Sequence, residues 1–228
     1  MKKQITEFFS TIKNKDKTIL FLFILLSLFF IYESVIINRS FTYDEIYCIY
    51  AYCLKSIFQL MNMNYFPNNQ IFYSIISNLF IHIFGLSEFT FRLPSLIFSI
   101  LTIIIFFSII KKIINEKIAF LSCIILMTTP YYILYSSLGR GYITSLFFSL
   151  LSYYLFLKFN NEKKWIYLIF LSIAIVLNTY THLFIGINFF IVLFIYSVIL
   201  LFNKSLKLSF FLQILLCFII SGALIIYL

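Results

Sequence analysis

The sequence predicts an all-α, polytopic membrane protein of about seven transmembrane helices, with two interfacial helices in its first external loop. Three observations carry this. Hydrophobic residues make up 63% of the 228 and charged residues 11%, with mean hydropathy +1.04; a soluble domain is about half apolar and about a quarter charged. The apolar residues fall into runs near the ~20 residues that a spanning helix needs. The charges gather between those runs, so the net charge of +9 describes membrane orientation and not a nucleic-acid partner.

The N-terminal tail, 1–17, carries Lys2, Lys3, Lys13, Lys15 and Lys17 and is expected in the cytoplasm. The run 18–37 follows. It is long enough to span, and no small-residue cleavage site succeeds it, so it reads as an anchor and not a cleaved leader. Further runs lie at 93–112, 118–136, 142–158, 183–202 and 208–228, and 165–180 is shorter but adequate. The run 71–86 is ambiguous, and parity decides it. If it does not cross, every basic residue except Arg39, Lys55, Arg92 and Arg140 falls inside. If it crosses, the clusters after it all move outside, against the bias for internal lysine and arginine. Residues 38–92 are therefore expected to form one external loop lying on the membrane, and 1–228 a single transmembrane module.

Within that loop Thr42-x-x-Glu45 is a capping-box pattern, predicting a helix to about Met61 with Glu45, Ser56 and Gln59 on its polar face. Asn64 to Asn69, with Pro67, breaks it. The run 71–86 makes a second flat or re-entrant helix ended by Gly85. Pro94 suits the first turn of the next span, and Pro130 predicts a kink near the outer end of the third.

Two adjacent carboxylates, Asp44 and Glu45, open the loop in a chain with only eight acids. Helix capping is the simpler account of both; a general base taking a proton from an attacking hydroxyl or amine is the functional one. All three arginines are expected outside. Snorkelling to headgroups is one account of them, and charge stabilisation of a phosphate by Arg92 and Arg140 is the other. Gly139 and Gly141 flank Arg140, so backbone there can approach a ligand. Tyr180-Thr181-His182 ends a helix on the same side, as an aromatic belt or a site. Glu33 falls in the outer turn of the first helix and counts as a site candidate because it is an intramembrane acid. His82 sits in an apolar run and reads as structural. Cys48, Cys53, Cys123 and Cys217 include no C-x-x-C, so neither a disulfide framework nor a zinc site is indicated.

An ordered set of segments adds to this. Asp44-Glu45 is followed by Pro67-Asn68-Asn69-Gln70, by Phe84-Gly85-Leu86-Ser87-Glu88-Phe89-Thr90-Phe91-Arg92-Leu93-Pro94-Ser95, by Tyr135 to Tyr142 with Gly139-Arg140-Gly141, and by Tyr180-Thr181-His182. Together they resemble the GT-C glycosyltransferases, in particular the bacterial relatives of protein O-mannosyltransferases and aminoarabinose transferases. The resemblance implies a seven-helix module with two interface helices in its first external loop. It implies sugar transfer from a polyprenyl-phosphate donor on the external face of a bacterial plasma (inner) membrane. The acceptor, whether protein, lipid or cell-envelope glycan, is left open. It implies Asp44 as base with Glu45 beside it, Arg92 and Arg140 on the donor phosphate, and Asn68, Asn69, Gln70, Tyr142, Tyr180 and His182 near substrate. Gln70 stands where many relatives have histidine, and Gly139 where many have an acid, so no metal ligand set is assigned and a divalent metal stays open. Relatives continue with more helices, so this module is expected to lack a C-terminal portion. A truncated, non-catalytic module that binds lipid or a partner, and a polytopic transporter, are the competing readings. The gathering of charge at the helix ends speaks against the transporter.

Overall fold

The computed structural model describes residues 2–61, 70–203 and 207–227, and every regular element among them is helical. In chain order these are α1 (Lys2–Ile36), α2 (Tyr43–Cys48), a π-helical turn (Ile49–Cys53), α3 (Ile57–Met61), α4 (Ile71–Phe84), α5 (Glu88–Ile113), α6 (Glu116–Thr128), α7 (Pro130–Ser136), α8 (Tyr142–Glu162), α9 (Trp165–Thr181), α10 (Leu183–Phe202) and α11 (Leu208–Tyr227). The chain is a polytopic all-α membrane protein.

The helix ends follow from local chemistry. Ser87 caps α5, its Oγ accepting the Thr90 amide at 3.1 Å. The helix therefore starts earlier than expected, and Pro94 sits inside it and not in its first turn. Asn115 caps α6 through the Ile118 amide at 2.9 Å. Gly85 closes α4 at φ +81°, a conformation that favours glycine. Thr129, extended as the residue before a proline tends to be, breaks α6 from α7, which turns away by 69°.

Side-chain contacts sort the helix ends into two sets. At one end Thr18 of α1 bonds Glu116 of α6, Lys112 of α5 reaches the Leu157 carbonyl of α8, and the Lys163 ammonium lies over the Phe210 ring of α11. This is the lysine end. At the other end Arg92 of α5 bonds the turn after α1, and Gly141, before α8, lies against Thr181 of α9. This is the arginine end. The path between them alternates through α1, α5, the α6–α7 pair, α8, α9, α10 and α11. By length and composition α5, α8 and α10 can each cross a membrane, and α6 with α7 counts as a fourth when the bent pair is taken as one span. The apolar stretches Leu20–Ile36, Trp165–Thr181 and Leu208–Ala223 are shorter. Helix α4 begins beside Gly141 and ends just before α5, so both its ends stay at the arginine end.

The loop helix expected from Thr42 to Met61 is instead three pieces. The Asn78 side-chain amide donates to the Cys53 and Lys55 carbonyls at 2.7 and 2.8 Å, taking acceptors that a continuing helix would use. Ser56 and Gln59 then form a capping box of their own and start α3. The expected polar face is also revised: Ser56 and Gln59 are exposed, but Glu45 is buried. Cys48, Ile49, Tyr52 and Cys53 turn inward and pack with Leu60, Tyr73 and Phe91, seating the loop on α4 and α5.

Candidate active site

Glu45 is the keystone of the arginine end. Thr42 caps α2, and the capping box predicted from sequence is present: the Thr42 amide and hydroxyl both reach Glu45 Oε2, at 2.8 and 3.0 Å. Two distant groups complete the carboxylate. Arg92 donates from Nε to Oε1 at 2.7 Å and from Nη2 to Oε2 at 2.6 Å. The Gly139 amide donates to Oε1 at 2.6 Å. Burial alone would raise the Glu45 pKa, but the Arg92 guanidinium and the Thr42 and Gly139 amides outweigh it and hold the carboxyl below its ordinary value.

Arg92 is as fully used. Besides its two bonds to Glu45, its Nη1 donates to the carbonyls of Ile37 at 2.7 Å and of Arg39, and its Nη2 to Ser40 at 3.0 Å. A guanidinium has five N–H donors, and all five are spent on protein in a side chain with no exposure. The phosphate expected at Arg92 would have to compete with these partners. The residue is a clamp joining α5 to the turn after α1.

The segment Leu138 to Gly141 is pinned from three sides. Glu45 takes the Gly139 amide, Gln70 Oε1 takes the Gly141 amide at 2.6 Å, and Ser95 Oγ donates to the Leu138 carbonyl at 2.7 Å. Gln70 is buried, in left-handed backbone at φ +41°. It supports the loop from beneath. Both glycines are needed for contact: a Cβ on Gly139 would lie 2.1 Å from the Phe91 ring, and one on Gly141 2.8 Å from Thr181 Cγ2.

Held this way, Arg140 points its Nη1 at Asp44 Oδ2, 3.6 Å away. The arginine is 3% exposed and the aspartate 67%. At that separation the pair is electrostatic and not hydrogen-bonded, so the Asp44 carboxylate keeps its acceptor capacity toward the aqueous side. The Arg140 Cζ also lies 5.7 Å from the centre of the Tyr142 ring.

With that geometry in view the comparison with known proteins is decisive. Residues 67–227 match the family model described as dolichyl-phosphate-mannose-protein mannosyltransferase. The chain belongs to this family. It is accordingly a membrane glycosyltransferase of the GT-C type. No curated protein and no solved structure matches it. The matched region includes Arg92, Arg140, Tyr142, Tyr180 and His182, while Asp44 and Glu45 precede it.

The family member's aromatic residues form a ladder behind Arg140. Tyr142 packs on His182 with ring centres 5.5 Å apart and on Tyr135 at 4.9 Å, and Tyr135 stacks on Tyr131. Burial first, and the Arg140 charge second, lower the His182 pKa. Tyr180, half-buried on α9, is not part of this ladder. Tyr131, Tyr132, Tyr135 and Tyr142 line a cavity of about 480 Å³ with Thr129 and Ile185. Asn68 and Asn69 lie outside the described residues. Among the described residues no three His, Cys, Asp or Glu side chains converge to hold a metal ion. A divalent cation here would find Asp44 but not Glu45, whose oxygens are committed to Arg92 and backbone amides. All four cysteines are free, buried thiols.

Ser95 went unassigned in the sequence because a lone hydroxyl in an apolar run normally bonds its own helix. Its place directly after Arg92-Leu93-Pro94 was the available signal.

Proposed function

We propose that this chain transfers a sugar from a polyprenyl-phosphate carrier to an acceptor at the external face of the membrane, with Asp44 as base and Arg140 on the carrier phosphate. The observation that carries this is the Asp44–Arg140 pair: an exposed carboxylate set 3.6 Å from a buried, fixed guanidinium. An acceptor hydroxyl bound against Asp44 gives up its proton as its oxygen attacks the anomeric carbon. The bond from that carbon to the phosphate oxygen breaks, and its electron pair stays on the phosphate, where Arg140 meets the new charge. A single direct displacement inverts the anomeric centre.

The family's description names a dolichyl-phosphate sugar, which supports a lipid-phosphate donor. The tyrosine-lined cavity adjoins Tyr142, which touches Arg140, and offers an apolar seat for the carrier's isoprenoid chain. Lysines at one end of the bundle and arginines at the other support an external site with a cytoplasmic N-terminus in a bacterial plasma membrane. The acceptor class stays open among protein, lipid and cell-envelope glycan.

The test is transfer from radiolabelled polyprenyl-phosphate sugars by the purified chain in proteoliposomes, with Asp44→Asn as control. Loss of transfer in Asp44→Asn is expected. Transfer near the wild-type rate in that variant refutes the base assignment.

A further inference from the structure

Two thiols in the first loop have no task in the reaction above. Cys48 ends α2 and Cys53 ends the π-helical turn, and their Sγ atoms lie 3.8 Å apart. They are 2% and 0% exposed. In an α-helix, residues five apart point about 140° away from each other. The π-helical turn removes that offset. The Leu54 amide donates to the Ile49 carbonyl, five residues back, at 3.0 Å, and side chains at this spacing come onto one face. Such turns are rare and collect at functional sites. The other two cysteines are differently placed: Cys123 faces the Ile103 carbonyl, and Cys217 the Ser172 hydroxyl.

The two sulfurs belong to parts of the loop that are held separately. Asn78 of α4 fixes the Cys53 carbonyl at 2.7 Å. Cys48 belongs to the helix that carries Asp44 and Glu45, one turn after Asp44. A covalent bond between the sulfurs joins that helix to the turn anchored on α4. Two buried thiols can also pack as small apolar groups and no more, so the chemistry of the pair is what needs testing.

We propose that Cys48 and Cys53 are a disulfide-forming pair, closed by exchange with a small-molecule disulfide on the external side of the membrane. This rests on the external placement of the loop in the reading above, since disulfides persist in oxidising compartments. One protein thiol, as its thiolate, attacks a sulfur of the small disulfide and releases half of it as a thiol. The second protein thiolate attacks the protein sulfur of the mixed disulfide and releases the other half. The two cysteines give up two protons and two electrons, and the small disulfide takes them to become two thiols. Both sulfurs are buried once the loop is seated, so the exchange happens before seating or during local opening.

The experiment treats the purified full chain in detergent with oxidised glutathione and alkylates the remaining thiols in denaturant. Mass spectrometry then reads the tryptic peptide Ser40–Lys55, which holds both cysteines. The peptide is expected unalkylated and two hydrogens lighter, with Cys123 and Cys217 alkylated. The oxidised chain melts about 5 °C above the reduced one, and Cys48→Ser abolishes that difference. Alkylation of both Cys48 and Cys53 overturns the proposal, as does a lasting glutathione adduct on either, or an oxidised chain that melts with the reduced one. The same peptide from acid-quenched cells tests the placement. A pair that closes in detergent but stays open in cells upholds the disulfide chemistry and overturns the external reading of the loop.

Discussion

Glu45 and Arg92 meet edge to edge inside the arginine end, with N–O distances of 2.7 and 2.6 Å and neither side chain exposed. Beside them Asp44 and Arg140 meet at 3.6 Å, with the aspartate 67% exposed. The closed pair builds the frame, and in the other pair Asp44 alone faces the solvent. Adjacent carboxylates in sequence thus lie in opposite settings, because the capping geometry of α2 turns one inward and leaves the other outward.

Removing one partner of the closed pair leaves a buried charge alone. Glu45→Gln is expected to cost ~3–5 kcal/mol, and Arg92→Lys, which keeps the charge but loses the fork, is expected to cost less, both seen as a lower melting temperature of the detergent-solubilised chain. Lysine fails because a single ammonium cannot span two carboxylate oxygens and three carbonyls. Wild-type melting of Arg92→Lys would contradict the clamp.

Asp44→Asn is expected to separate activity from stability. The residue is 67% exposed, so its melting temperature stays within the ~0.5 kcal/mol typical of surface changes. Sugar transfer falls on the order of 10²–10⁴-fold, the worth of a positioned general base. A parallel loss of stability would instead assign Asp44 to the scaffold.

Gly139→Ala places a methyl group against the Phe91 ring and crowds Glu45 Oε1 at 3.0 Å. Both stability and transfer are expected to fall, by the ~1–3 kcal/mol of an overpacked core. Phe91→Leu in the same chain makes room and restores part of the melting temperature. A double variant no better than Gly139→Ala alone would remove the steric explanation.

Acid should loosen the arginine end. The folded-state pKa of Glu45 is depressed below 4.5, so its contribution to stability is fully present above that value and is lost as pH falls through the lower folded pKa. Melting temperatures measured from pH 7 down to pH 3 are expected to drop below pH 4.5, and the Glu45→Gln variant should lack this component.

Much of this was legible in the chain. Thr42-x-x-Glu45 announced its capping box, and Asp44 stands exposed at the loop it opens. Pro130 bends α6 from α7, and Gly85 ends α4. The bonds of Arg92 to Glu45 and to the turn after α1 are not legible in sequence, which marks an arginine at an interface without saying what consumes its donors. The same holds for Gln70, whose side-chain oxygen accepts from the Gly141 backbone far along the chain. The loop helix was drawn too long because the Asn78 side chain that interrupts it comes from another element.

The sequence by itself determined the membrane class, the alternation of helices between a lysine end and an arginine end, and the gathering of the arginines at one of them. These follow from hydropathy and charge, which are summed along a segment and need no partner. Only the tertiary structure decided which carboxylate is buried and which arginine is spent. Those outcomes depend on which helix faces meet, and the bonds that settle them join residues 47 and 94 positions apart.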